Sequence, residues 1–184
     1  PVEVPFFFLF LGRFHPLILH FPIVLIVLAL LFELARRFSF LKVGESVIMV
    51  MLIAAAASTV VSIAAGFFLF ASGEYSGNLM EQHFWAGAIT GSVVFTTVAM
   101  YLVSRNTPKF YPFYLAGLLF SNITVGYASH LGGSITHGKE YLTEHLGIIL
   151  NQPPVSEERP ESEMRVYDDM IAPIFEAKCL SCHN

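Results

Sequence analysis

"RFHPLILHFPIVLIVLALLFELARR" (13–37) decides the fold. It is a long apolar run opened by two histidines, His15 and His20, and two prolines, Pro16 and Pro22. About 20 apolar residues suffice for a helix to cross a bilayer. Both prolines fall near the first turns, where a missing N–H costs least. At the other end Glu33 faces Arg36 and Arg37 at i+3 and i+4, the pattern of a neutralised helix end.

Working outward, the first span is read as residues 16–38, and three more runs of similar length follow at 47–71, 84–103 and 110–130. Short connections between them predict an all-α integral membrane protein, an antiparallel four-helix transmembrane bundle with an extracytoplasmic tail. Composition agrees. The 184 residues are 55% hydrophobic and only 13% charged, with a mean hydropathy of +0.64. A soluble domain of this size carries about twice that share of charge. Between Gly44 and Arg105 the charged residues are Glu45, Glu74 and Glu81. The net charge of −4 comes largely from the acidic stretch 157–169, and no basic surface suits nucleic acid. Both cysteines fall in the last six residues, so no disulfide framework is implied. The chain shows no repeat of clear period, no nucleotide-binding glycine loop and no Ser/His/Asp or Cys/His hydrolase set.

Basic residues orient the spans. Arg36, Arg37 and Lys42 follow the first, and Arg105 and Lys109 follow the third; Arg13 and Lys139 are the membrane-proximal pair on the other side. The positive-inside rule puts the first two groups in the cytoplasm and both termini outside. The expected location is a bacterial inner (cytoplasmic) membrane, multi-pass, in contact with the lipid bilayer. Small residues mark packing faces: Gly87 with Gly91, "AAAAS" (54–58) and "SIAAG" (62–66). Asn122, beside Ser121 and Thr124, is read as an interhelical hydrogen bonder, and Trp85, Tyr75 and Tyr127 as interface anchors. The chain divides into an N-terminal interfacial segment (1–14), the four-helix membrane domain (15–138), a linker (139–164) and a terminal piece (165–184). "LGGSITHGKEYLTEHLG" (131–147) reads as polar chain with some surface helix.

That terminal piece ends in Cys179-Leu180-Ser181-Cys182-His183, the CxxCH signature of c-type haem. Two thiols two residues apart can add to the two vinyl groups on one porphyrin edge, and the adjacent histidine ligates the iron. Half of a zinc site is the rival reading. The stretch "IAPIFEAKCLSCHN" (171–184) resembles the opening of planctomycete-type cytochrome c domains. The resemblance implies covalent haem c, with Cys179 and Cys182 as thioether sites and His183 as proximal ligand. The distal ligand is expected beyond Asn184.

Five histidines lie at or beyond the outer ends of spans: His15, His20, His83, His130 and His137. Ionisable groups at membrane depth are costly and mark function. His20, His83 and His130 lie at similar depth on three helices and are the leading candidates for ligands of a b-type haem, with His15 and His137 behind them. His15 and His20 are five residues apart, roughly 140° around a helix, so they do not face one point. "RFHPLILHFPIVL" (13–25) and "HLGGSITHG" (130–138) are similar to the opening and closing signatures of the DUF2231 membrane family. That resemblance implies a four-helix membrane domain, found alone or fused to cytochrome c domains, and supplies no ligand assignment.

Three readings of the histidines compete: two of them hold a haem b, as bis-histidine sites in bundles do; they bind copper, zinc or another metal, with Glu81; or they are interfacial caps. A Glu81/His83 proton-accepting pair for quinol oxidation is a further option. The expected function is a membrane-bound electron-transfer cytochrome subunit. It passes electrons between a bundle haem b, or a quinone, and haem c outside the membrane, within a respiratory oxidoreductase complex or towards a redox partner protein. The alternatives are a membrane anchor or assembly subunit with no bundle cofactor, and a metal-binding membrane module.

Overall fold

The structure is a computed structural model and describes residues 5–73, 75–143, 146 and 166–179; no strand occurs among them. Helices α1 (Phe6–Gly12), α2 (His15–Ile18) and α3 (His20–Arg37) follow one another as a kinked run of 32 residues, Phe6–Arg37. Pro16 and Pro22 explain the kinks. Each removes a backbone donor and pushes its ring at the carbonyl four residues back. Helix therefore begins ten residues before the expected start at 16, because its first turns find a packing partner. Gly12 is buried against α4, where an added Cβ would lie 3.1 Å from Leu69 N, and the Phe8 and Phe68 rings are 4.7 Å apart.

Three long helices complete the bundle: α4 (Glu45–Ser72), α5 (Asn78–Asn106) and, after a 3-10 turn at Pro108–Phe110, α6 (Tyr111–His137). At 1.5 Å per residue each is about 40 Å long, more than the roughly 30 Å hydrocarbon core. The Phe6–Arg37 run, α4 and α5 are both long and apolar enough to cross a membrane. In α6, which has the length, Ser121, Asn122, Thr124 and His130 dilute the apolar run. α6 also extends past the expected end at 130 and absorbs "LGGSITH" (131–137) as helix, stopping at Gly138 with φ 94°. α4 stops in the same way at Gly73, φ 73°. α3 instead turns over Ser39, a non-glycine residue at φ 59°.

α3 packs on α4 and α6, and α5 packs on the same two helices, so the four close into a ring. The interior is Ala29, Ile48, Leu52, Tyr101, Tyr114 and Leu118 in one layer and Ile26, Ala55, Val94 and Val125 in the next. Phe21, Leu31, Val50, Phe95, Phe120 and Ile123 are exposed, as side chains facing lipid are. Of the expected Gly87/Gly91 pair only Gly91 marks a close approach. An added Cβ there would lie 2.5 Å from Ile63 Cδ1, whereas Gly87 has nothing within 4 Å. Gly117 is a second close approach, 2.8 Å from Thr97 Oγ1. Buried Thr59, Thr97 and Ser121 return their hydroxyls to carbonyls one turn back, which satisfies them inside the bundle; buried Thr90 Oγ1 has no such partner among the described residues. Asn122 bonds Leu118 O at 2.9 Å in its own helix and Ile26 O at 3.4 Å across on α3.

Beyond the bundle, a π-helical turn (Val166–Ile171) leads into α7 (Ala172–Lys178), with Pro173 in its first turn. The helix closes with Cys179 N–H donating to Phe175 O at 2.8 Å. Cys179 is half-buried; Cys182 and His183 lie outside the described residues.

Candidate histidine site

Two histidines meet inside one end of the bundle, His15 from the first turn of α2 and His83 from α5. Their ring centres are 6.2 Å apart and their planes are close to perpendicular, at 75°. Each ring is held from outside its own helix. His15 Nδ1 lies 2.9 Å from Ser62 O on α4, and His83 Nδ1 lies 3.0 Å from Ala128 O on α6. A carbonyl only accepts, so Nδ1 carries the proton in both, and in the neutral form of each ring the Nε2 lone pair is left free. Anchoring one ring nitrogen on a backbone carbonyl is how proteins orient metal-ligating histidines.

A glycine makes each contact possible. The carbonyl of residue i in a helix already accepts the N–H of residue i+4. Here i+4 is Gly66 beside Ser62 and Gly132 beside Ala128. A Cβ at Gly66 would lie 2.9 Å from His15 Cε1, and one at Gly132 would lie 3.0 Å from His83 Cε1. The imidazole takes the space where a side chain would stand.

The other candidate histidines are elsewhere. His20 and His130 are on exposed faces, and exposed His137 stacks on Tyr141 with centres 4.6 Å apart. The 140° separation therefore sends His15 inward and His20 outward. Glu81 is exposed and lines a shallow open groove with Gln82, Trp85 and Tyr127. Among the described residues no group of three or more His, Cys, Asp or Glu converges. The donor set is thus two imidazoles. Structural zinc takes four ligands, whereas a six-coordinate haem iron takes two from the protein. With metal–nitrogen bonds of about 2.0 Å, two imidazoles on opposite sides of one ion have ring centres roughly 6 Å apart. In donor type and number the pair matches what a six-coordinate haem iron takes from a protein.

A second polar centre lies at the opposite end of the helices, and the sequence showed only part of it. Glu33 is fully buried. Its Oε1 accepts from Arg36 Nη2 and from Tyr111 OH, both at 2.6 Å, and its Oε2 accepts from Tyr114 OH at 3.2 Å. Arg36 also reaches Glu45 at 3.5 Å, and Tyr101 OH donates to Glu45 O at 3.0 Å. The i,i+3 spacing announces Arg36. The tyrosines arrive from α5 and α6, and the available signal is their spacing at the start of α6, where Tyr111 and Tyr114 share a face.

Fold and site together define a helical membrane protein with a two-histidine centre inside one end of its bundle. Residues 13–142 match the family described as predicted membrane protein (DUF2231), and the chain belongs to that family. The match covers the bundle and ends before the CxxCH segment. No curated protein and no solved structure shows significant similarity to the chain.

Proposed function

We propose that this protein is a membrane-bound electron carrier in which His15 and His83 would hold a b-type haem. The CxxCH segment would carry a covalent haem c through Cys179 and Cys182, with His183 as its proximal ligand. When bound, the haem would supply one-electron chemistry. The chain supplies orientation: the Ser62 and Ala128 carbonyls fix the tautomer of each imidazole and raise its basicity. In this reading the histidine end is extracytoplasmic, in a bacterial inner membrane, by the placement of Arg36, Arg37, Lys42, Arg105 and Lys109. A membrane quinol is the electron source and a redox partner protein or respiratory complex the destination, with the 139–164 linker as tether. The carrying observation is the His15–His83 pair, two imidazoles with ring centres 6.2 Å apart whose Nδ1 atoms are both already used on backbone carbonyls.

One observation favours a second reading. The same two hydrogen bonds tie α2 to α4 and α5 to α6, which is all that an anchor for a cytochrome domain requires. Pyridine haemochrome spectra with metal analysis separate the two. They are to be run on the full chain in detergent and on a Cys179→Ala/Cys182→Ala variant. One non-covalent b-type haem kept by the variant supports the electron carrier. Loss of all haem, with no metal retained, overturns it and leaves the anchor.

A further inference from the structure

The two histidine contacts are copies of one device. His15 reaches a carbonyl 47 residues on, and His83 one 45 residues on. In both the carbonyl precedes a glycine by four residues. Laying the second hairpin on the first shows that the likeness runs the length of the bundle. With an offset of 68 residues, buried Pro22, Ile26, Ala29 and Glu33 of α3 fall on buried Thr90, Val94, Thr97 and Tyr101 of α5. With an offset of 66, buried Ile48, Leu52, Ala55, Thr59 and Ala65 of α4 fall on buried Tyr114, Leu118, Ser121, Val125 and Leu131 of α6. The same offsets carry His15 onto His83, Ser62 onto Ala128 and Gly66 onto Gly132. They also carry the Glu33–Tyr111 contact between α3 and α6 onto the Tyr101–Glu45 contact between α5 and α4. Each is a tyrosine hydroxyl given to a glutamate residue, with the roles exchanged.

We infer that the bundle is a tandem repeat of one histidine-headed helical hairpin, and that His15 and His83 are the equivalent halves of a single site, positioned by Gly66 and Gly132. α3 and α5 run in the same direction, so the repeats are parallel, related by an axis along the bundle as in other parallel-repeat membrane proteins. A site on such an axis presents two like donors to an occupant that accepts them on opposite sides. For the nature of that occupant the inference rests on the reading above; for its geometry it does not. Amino-acid identity between the repeats has drifted almost everywhere in the interior. It persists at Leu52 and Leu118, and at the imidazoles and the two glycines, the four positions that build the device.

The test uses the full chain in detergent with 15N-labelled histidine. His15 and His83 are expected to show the Nδ1-protonated tautomer. Gly66→Ala should shift the His15 signals and leave His83, and Gly132→Ala should do the reverse. Thermal unfolding supplies the second readout. Gly66→Ala should lower the midpoint in the wild-type background and have no further effect beside His15→Ala, where the ring that the new methyl would meet is gone. The same holds should Gly66→Ala alone fail to insert: His15→Ala/Gly66→Ala should then insert. Hemin is the probe for the occupant, with His15→Ala and His83→Ala each expected to weaken retention at least 10-fold and to similar extents. Unmoved His15 signals in Gly66→Ala, or an equal loss of midpoint in both backgrounds, overturns the inference. Hemin not retained by wild type, with the glycine pattern intact, supports the repeat and overturns the electron-carrier reading.

Discussion

Replacing Glu33 with leucine should destabilise the protein by about 3–5 kcal/mol, the cost of breaking a buried charged pair by removing one partner. The structure shows where that figure comes from. Leucine leaves Tyr114 OH, in a fully buried residue, without its acceptor, and an orphaned buried hydroxyl costs about 1–3 kcal/mol. Tyr111 loses a 2.6 Å bond to a carboxylate and is only partly buried, so its share is about 1–2 kcal/mol. Arg36 adds little. Its side chain is 27% exposed and keeps Glu45 at 3.5 Å, so it relaxes towards solvent. Glu33→Gln keeps an acceptor for one tyrosine and loses the charge assistance, so it should cost less than half as much. Equilibrium unfolding in mixed detergent micelles, followed by helical circular dichroism, measures both. A Glu33→Leu protein within 0.5 kcal/mol of wild type, on the order of a neutral surface change, would refute the argument that this carboxylate holds α3 to α6. The Glu33→Leu/Tyr111→Phe double variant should be less destabilised than the two single variants summed, because they remove the same bond.

Haem absorbance in His15→Ala and His83→Ala should fall to the c-type contribution alone, while His20→Ala and His130→Ala retain the b-type band; spectra of the four detergent-purified variants decide this. Gly117→Val should cost about 1–3 kcal/mol, as overpacking does, because Thr97 Oγ1 stands 2.8 Å from the added Cβ and is also bonded to Ser121 at 3.0 Å; the same unfolding assay reads it. Ser39→Gly should stabilise by about 1 kcal/mol, since a left-handed residue with a Cβ is strained by roughly that amount; a thermal midpoint that stays or falls counts against it.

Much of the architecture was legible in the residues. Long apolar runs with charge confined to their ends admit one solution in lipid, helices whose backbone groups are satisfied internally. Span boundaries were less legible, because prolines and glycines were read by local propensity. Pro16 looked like a beginning and "LGG" (131–133) like an end. In the structure helix runs through both, since Gly12 packs on α4 and Gly132 on His83, and packing outweighs a propensity cost of about 1 kcal/mol per glycine. The repeat was not visible as sequence because a helical core requires only burial at the right register, and Ile48 or Tyr114 satisfies it equally.

By itself the sequence determined the membrane class, the helical spans, the candidate histidines and the CxxCH motif, because hydropathy, charge placement and short spacings are properties of the chain. Only the tertiary structure decided which histidines meet. Depth along the membrane ranked His20, His83 and His130 together, but depth is one coordinate, and two groups share a site only when their helix faces also turn towards each other. That rotation is set by close approaches such as Gly66 to His15 and Gly132 to His83, between residues 51 and 49 positions apart in the chain. The same contacts brought Tyr111 and Tyr114 to Glu33, and they are properties of the packed bundle alone.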